Sequence, residues 1–160
     1  DPKGNEGLNP QKTEPTNPLY SLDKQQSSLV YYDKNTIVLT MPYWVKVTNS
    51  SVEDSEVKKH SFVLSYDPEA MTASDTKLKL YISHVVEDAG ETVTRSNFTY
   101  AYRAYSIRAA LAAFKEKTGK LPKYLELTAE INNSKDELVD KDGKETSVER
   151  SVEYDYAFTE

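Results

Sequence analysis

NFTYAYRAYSIRAALAAFKEKTG, residues 97–119, holds the two periods from which the fold is read. In its first part Phe98, Tyr100 and Tyr102 alternate with smaller or polar residues, as a strand with one covered face would. Tyr100, Ala104, Ile107, Leu111 and Phe114 also recur at spacings of four, three, four and three, which is one face of a helix. Residues 96–103 therefore fit either state. The second half fits one. Ala109, Ala110, Ala112 and Ala113 are strong helix formers, Lys115 and Lys117 complement the last turn, Gly119 suits the left-handed C-cap, and Pro122 forbids continuation. This predicts one main helix over about 104–117 that buries Ile107, Leu111 and Phe114.

Strand patterns surround that helix. Leu29-Val30-Tyr31-Tyr32 and Thr36-Ile37-Val38-Leu39-Thr40 are β-branched and aromatic, and Asp33-Lys34-Asn35 between them reads as a hairpin turn. Pro42 interrupts ahead of Tyr43-Trp44-Val45-Lys46-Val47, which predicts a bend or an edge position. Phe62, Leu64 and Tyr66 alternate with Ser61, Val63 and Ser65, and Leu78, Leu80 and Ile82 alternate with Lys77, Lys79 and Tyr81. Tyr124 to Ile131 and roughly Val148 to Phe158 close the chain, with Asp140-Lys141-Asp142-Gly143 as a turn between them. One helix among about six to eight strands is an α+β fold, mainly antiparallel, in a single domain over 20–160.

Residues 1–19 differ in kind. Pro2, Pro10, Pro15 and Pro18 keep them extended, and Leu8 and Leu19 are their only large aliphatic residues. The expectation is a disordered or extended tether making few contacts with the domain. Its composition resembles the spacers that follow the lipidated cysteine in bacterial surface lipoproteins. Asp1 in place of an initiator Met fits a mature or trimmed product.

Composition narrows the function classes. Only 34 of 160 residues are Leu, Ile, Val or Phe, so the core must draw on the aromatics, chiefly the 12 Tyr. A net charge of −6, with 20 basic residues scattered among 26 acidic ones, argues against a nucleic-acid partner. No apolar run approaches the roughly 20 residues of a membrane-spanning helix. Zero cysteines exclude disulfides and thiol chemistry.

Candidate chemistry is sparse. The two histidines, His60 and His84, lie in no nucleophile or metal motif, and alternation puts His84 on the face of Leu80 and Ile82, as a structural histidine. Aligning Gly143 with the sixth position of a calcium loop places Asp140, Asp142 and Glu149 at ligand positions but Leu138 at the first, so an Asp-Gly turn is the better reading. No cofactor motif occurs. The aromatic surplus offers a contact surface, and Tyr43 with Trp44, on a strand bent or exposed by Pro42, is the expected site for a protein or peptide partner. The function that fits is a non-enzymatic, extracytoplasmic bacterial binding module at the cell surface or secreted, including the soluble part of a lipoprotein. The alternatives are a small carboxylate-dependent hydrolase, expected to show a concave site with two acids of divergent pKa, and a structural subunit of a virion or secretion apparatus. Millimolar calcium is expected to leave the thermal midpoint unchanged, because ligand-linked stabilisation needs binding to the native state. A chelator-reversible rise would restore the calcium reading.

Overall fold

The computed structural model describes residues 7–24, 29–140 and 145–159. Among these residues nine strands and one main helix form the α+β fold. The elements are β1 (Leu29–Asp33), β2 (Thr36–Val45), the short α1 (Asp54–Val57), β3 (His60–Ser65), β4 (Lys77–Val86), β5 (Thr94–Arg95), β6 (Asn97–Ser106), α2 (Arg108–Thr118), β7 (Tyr124–Ile131), β8 (Leu138–Val139) and β9 (Val148–Asp155). They assemble as a three-stranded sheet, β1-β2-β6, a four-stranded sheet, β3-β4-β7-β9, and a two-stranded ribbon, β5-β8. Between these strands the pairings are antiparallel except β4 with β7.

The doubtful stretch resolves as strand. Asn97–Ser106 pairs with β2 along its whole length, from Asn97 opposite Val45 to Ser106 opposite Thr36, so tertiary pairing decides between two periods that the residues alone satisfy equally. The helix consequently starts at Arg108, later than the expected 104, with Ile107 as its N-cap residue. It ends as expected: Gly119 has φ +81° and donates to the Lys115 carbonyl at 2.7 Å. Its Leu111 and Phe114 enter the same core as Leu78, Leu80, Leu125 and Leu127.

Ladder phase follows from one bond. Ile107 N donates to Asn35 O at 2.7 Å, so the odd residues of β6 turn their backbone groups toward β2 and the even ones turn theirs toward the free edge. Pro42 falls in the even phase of β2, where its missing N–H faces away from β6. It therefore sits inside an unbroken strand, and the bend or edge expected there does not occur.

The tether expectation fails for the described part of the segment. It is extended, yet Leu19 is 1% exposed, Pro15 and Pro18 are buried, and Leu8 packs on the core. Asn9 N donates to Leu64 O and Asn9 O accepts from Tyr66 N, both at 2.9 Å, on the β3 edge. β4 and β7 pair only as far as Ile82 and Ala129; beyond that point Asn17 pairs with His84 and Leu19 with Ile131. Leu19 N donates to Glu130 O and Leu19 O accepts from Asn132 N, while Tyr20 N donates to Pro42 O, each at 2.9 Å. One extended residue pair thus joins the two large sheets edge to edge. Hydropathy missed it because the contribution is made largely by backbone.

Leu19→Ala is expected to cost about 2–5 kcal/mol through lost transfer energy and a cavity at the sheet junction, and Arg108→Ala, on the exposed side of α2, much less. Urea denaturation of the two variants checks it; equal losses would mean that the segment does not bear on stability.

Candidate functional site

Tyr43 and Trp44 do not form the exposed pair that the sequence suggested. Each is 4% exposed. Alternation puts them on opposite faces of β2: Tyr43 packs inward on Phe62, His60 and His84, and Trp44 lies on the outer face beneath Tyr20, its Nε1 donating to the Asn132 carbonyl at 2.7 Å. Beyond Leu39 the flank of β2 that β1 leaves open is taken by Leu19 and Tyr20. The edge postulated for a partner is filled by the chain itself.

The rings that do face solvent are on β6. Phe98, Tyr100 and Tyr102 are 42%, 41% and 64% exposed, and share the outer face of their sheet with Thr40, Pro42, Trp44 and Val30. Tyr20 stacks on Phe98 with centroids 4.2 Å apart, extending the aromatic surface over Trp44. The alternation of Phe98, Tyr100 and Tyr102 was visible in the sequence; their exposure was not, because a chain short of aliphatics spends most rings on its core.

A second feature is a cluster of buried charges. The β5-β8 ribbon sets Arg95 opposite Leu138 and so beside Asp140, whose Oδ2 accepts from Val93 N at 3.3 Å. Asp88 opens a turn in which Ala89 and Gly90 both have positive φ. Glu56 comes from α1. All five guanidinium N–H donors of Arg95 are used: Nε and Nη2 on Glu56 at 2.8 and 3.2 Å, Nη1 and Nη2 on Asp88 at 2.9 and 2.8 Å, and Nη1 on Asp140 at 2.8 Å. Burial favours neutral Glu56 and Asp88, but it is outweighed by hydrogen bonds, from His60, Arg95 and the Lys46 amide for Glu56 and chiefly from Arg95 for Asp88, so both carboxyls titrate well below the usual range. Asp140 goes the other way. Burial, then the neighbouring Asp88 carboxylate, push it up to about 6 despite Asn17 and Arg95.

Behind Glu56 stand the histidines. His60 Nε2 lies 3.2 Å from Glu56 Oε2, His60 Nδ1 lies 2.7 Å from His84 Nε2, and His84 Nδ1 donates to the Pro18 carbonyl at 2.9 Å. Burial draws both imidazoles toward the neutral form, His84 most strongly because it is fully buried with His60 beside it. Glu56 opposes this at His60, whose two ring nitrogens donate to Glu56 and His84 together only when the ring is protonated. Both are buried, as expected for His84. They tie the N-terminal segment to the charge cluster.

An open depression of about 550 Å³ lies over this cluster, lined by Thr16, Asn17, Asp88, Gly90, Asp140 and Glu145. It holds the two acids of divergent pKa that a carboxylate hydrolase calls for. Their oxygens are occupied: Asp88 by Arg95 and Lys59, and Asp140 by Arg95, Asn17 and Val93 N. Of the calcium-loop residues, Asp142 and Gly143 lie outside the described residues and Leu138 is buried in β8. Among the described residues no three His, Asp or Glu side chains converge on a metal position, and no helix is long and apolar enough to cross a membrane.

The chain is similar to a solved structure described as a "putative lipoprotein" from Bacteroides fragilis NCTC 9343, with 26% sequence identity and a TM-score of 0.77 over 97% of this chain and 70% of that one. No family model and no curated protein matches the chain.

The charge cluster generates a pH dependence. With its pKa raised to about 6, native Asp140 holds a proton that the unfolded chain has lost, so stability falls as pH rises from about 4 to 6. Glu56 and Asp88, shifted down, contribute above their unfolded values, and that contribution is lost as pH falls below about 4. Asp140→Asn is therefore expected to flatten the change between pH 4 and 6, on the order of 1–2 kcal/mol, with the acid limb retained. Thermal melts of both proteins from pH 3 to 8 check it, and parallel curves would remove Asp140 as the source.

Proposed function

We propose that this domain is a non-enzymatic binding module on the extracytoplasmic side of a bacterial cell, the soluble part of a lipoprotein, and that its partner is a protein or peptide. The observation that carries the binding role is the outer face of β1-β2-β6, where Phe98, Tyr100 and Tyr102 stand exposed in a row without a charged side chain among them. Rigid rings with a polar tip combine large contact area with hydrogen bonding and lose little rotamer entropy on binding, which is why Tyr is enriched at recognition surfaces. Similarity to a structure described as a "putative lipoprotein" supports the placement.

A small carboxylate hydrolase is the second reading. It is favoured by the depression in which Asp140, raised to about 6, neighbours the strongly acidic Asp88. General acid–base work needs a group within reach of substrate, and the saturation of both carboxylates by Arg95 and its neighbours weighs against it.

Photo-cross-linking tests the proposal. With benzoylphenylalanine at position 102 of the full protein in living cells, irradiation is expected to give a covalent protein adduct, and the same probe at Glu116, on the exposed side of α2, none. The adduct should be digested when protease is added to spheroplasts. Absence of an adduct at 102 would defeat the binding role, and protease resistance would defeat the placement.

A further inference from the structure

Edges decide the choice of partner. The β3 edge is occupied by Asn9, β1 is only five residues long, and β9 carries Glu149, Arg150, Glu153 and Asp155 along its length. These are the ways in which sheets avoid pairing with strangers: covering, shortness and charge. β6 is neither covered by a strand nor short, and carries no acidic residue. It is ten residues long, no strand among the described residues is hydrogen-bonded to its outer side, and its one charged residue, Arg103, packs its guanidinium 5.2 Å from the Phe62 ring and donates from Nη1 to the Tyr102 carbonyl at 3.1 Å. The N–H and C=O groups of Phe98, Tyr100, Tyr102 and Ala104 point outward along it, by the ladder phase set at Ile107.

We infer that a second copy of this chain pairs with that edge, β6 against β6 antiparallel, about a two-fold axis at Ala101. The inference rests on the reading of this face as the contact surface, and it names the partner. In that register Phe98 lies opposite Ala104 of the other copy and Tyr100 opposite its Tyr102, so the large ring meets the small residue and the two tyrosines form a cross-strand pair. Phe98, Tyr100 and Ala104 join the ladder directly, and Tyr102 completes it once Arg103 releases its carbonyl. Charge points the same way: two molecules of net charge −6 repel, and a strand with no acidic residue is where they can touch without opposing carboxylates. Area sets the strength. The three exposed rings leave roughly 300 Å² per copy in water, well under the roughly 800 Å² per partner of a stable interface, so the dimer is weak and concentration-dependent.

Sedimentation velocity of the isolated chain from about 10 μM to 1 mM, the range of effective concentration that tethering supplies, is expected to show a monomer–dimer equilibrium. Ala104→Pro removes an outward N–H without touching the bonds to β2, as Pro42 already does from the even phase of its own strand. Tyr102→Lys sets charges across the two-fold. Each is expected to weaken association more than tenfold while the circular dichroism and thermal midpoint stay near those of the unsubstituted chain. Hydrogen exchange should show amides 98, 100, 102 and 104 gaining protection with concentration. A chain that stays monomeric throughout, or a dimer that both variants leave intact, overturns the inference. If the adduct at position 102 in cells holds only a different protein, self-pairing is wrong and the contact face stands; with neither adduct nor dimer, both fail.

Discussion

The backbone of Leu19 and Tyr20 is the constraint on which the rest of the structure depends. A β-sheet has strength where its N–H and C=O groups are paired, and each of the two large sheets here leaves ladder positions open, β2 beyond Leu39 and the diverging ends of β4 and β7 beyond Ile82 and Ala129. The two residues fill both at once, with bonds to Glu130, Asn132 and Pro42. Because the inner faces of these sheets meet through Tyr43 and Phe62, and through the bond from the Tyr105 hydroxyl to the Phe62 carbonyl, the junction also sets how the faces approach. Everything described above hangs on that closure: the burial of Trp44, the cover over His84 and the upper wall of the depression.

The charge cluster is the polar counterpart of this junction. Arg95 is 1% exposed, and a guanidinium in that position is tolerated because each of its donors meets a carboxylate oxygen. Breaking such a set is costly, since it strands a charge away from water. The cluster unites α1, β5, the turn after β4 and the end of β8, elements too short to hold their positions by packing alone. Its place beneath a depression gives it the look of a reaction centre, and its saturation gives it the behaviour of a rivet.

Most of the fold was legible in the residues. The hairpin around Asp33–Asn35, the helix through Leu111 and Phe114, its stop at Gly119 and the strands at 60–65, 77–86 and 124–131 all follow from period, turn chemistry and capping. What could not be read was pairing. Nothing in Pro15-Thr16-Asn17-Pro18-Leu19 says that its backbone will be shared between two sheets, and nothing in Pro42 says that its missing donor falls on the harmless side of the ladder. The site suffered from the same gap. Tyr43 and Trp44 looked exposed only if β2 was an edge, and the strand that is one, β6, had been split between two readings of its period.

The Leu19 junction also orders the events of folding. The β1-β2-β6 sheet can form once residue 106 has been synthesised, and Tyr20 can reach Pro42 across only 22 residues. The other half of the junction waits for Asn132, more than a hundred residues downstream, and loops of that length close at an entropic cost that must be met before the contact rewards it. Until then the Trp44 indole lacks its Asn132 acceptor and the chain carries two sheets without a shared seam. Such an intermediate has its stickiest surface open for as long as the C-terminal third is unfinished, and a protein that crosses a membrane unfolded would meet that hazard again on the far side.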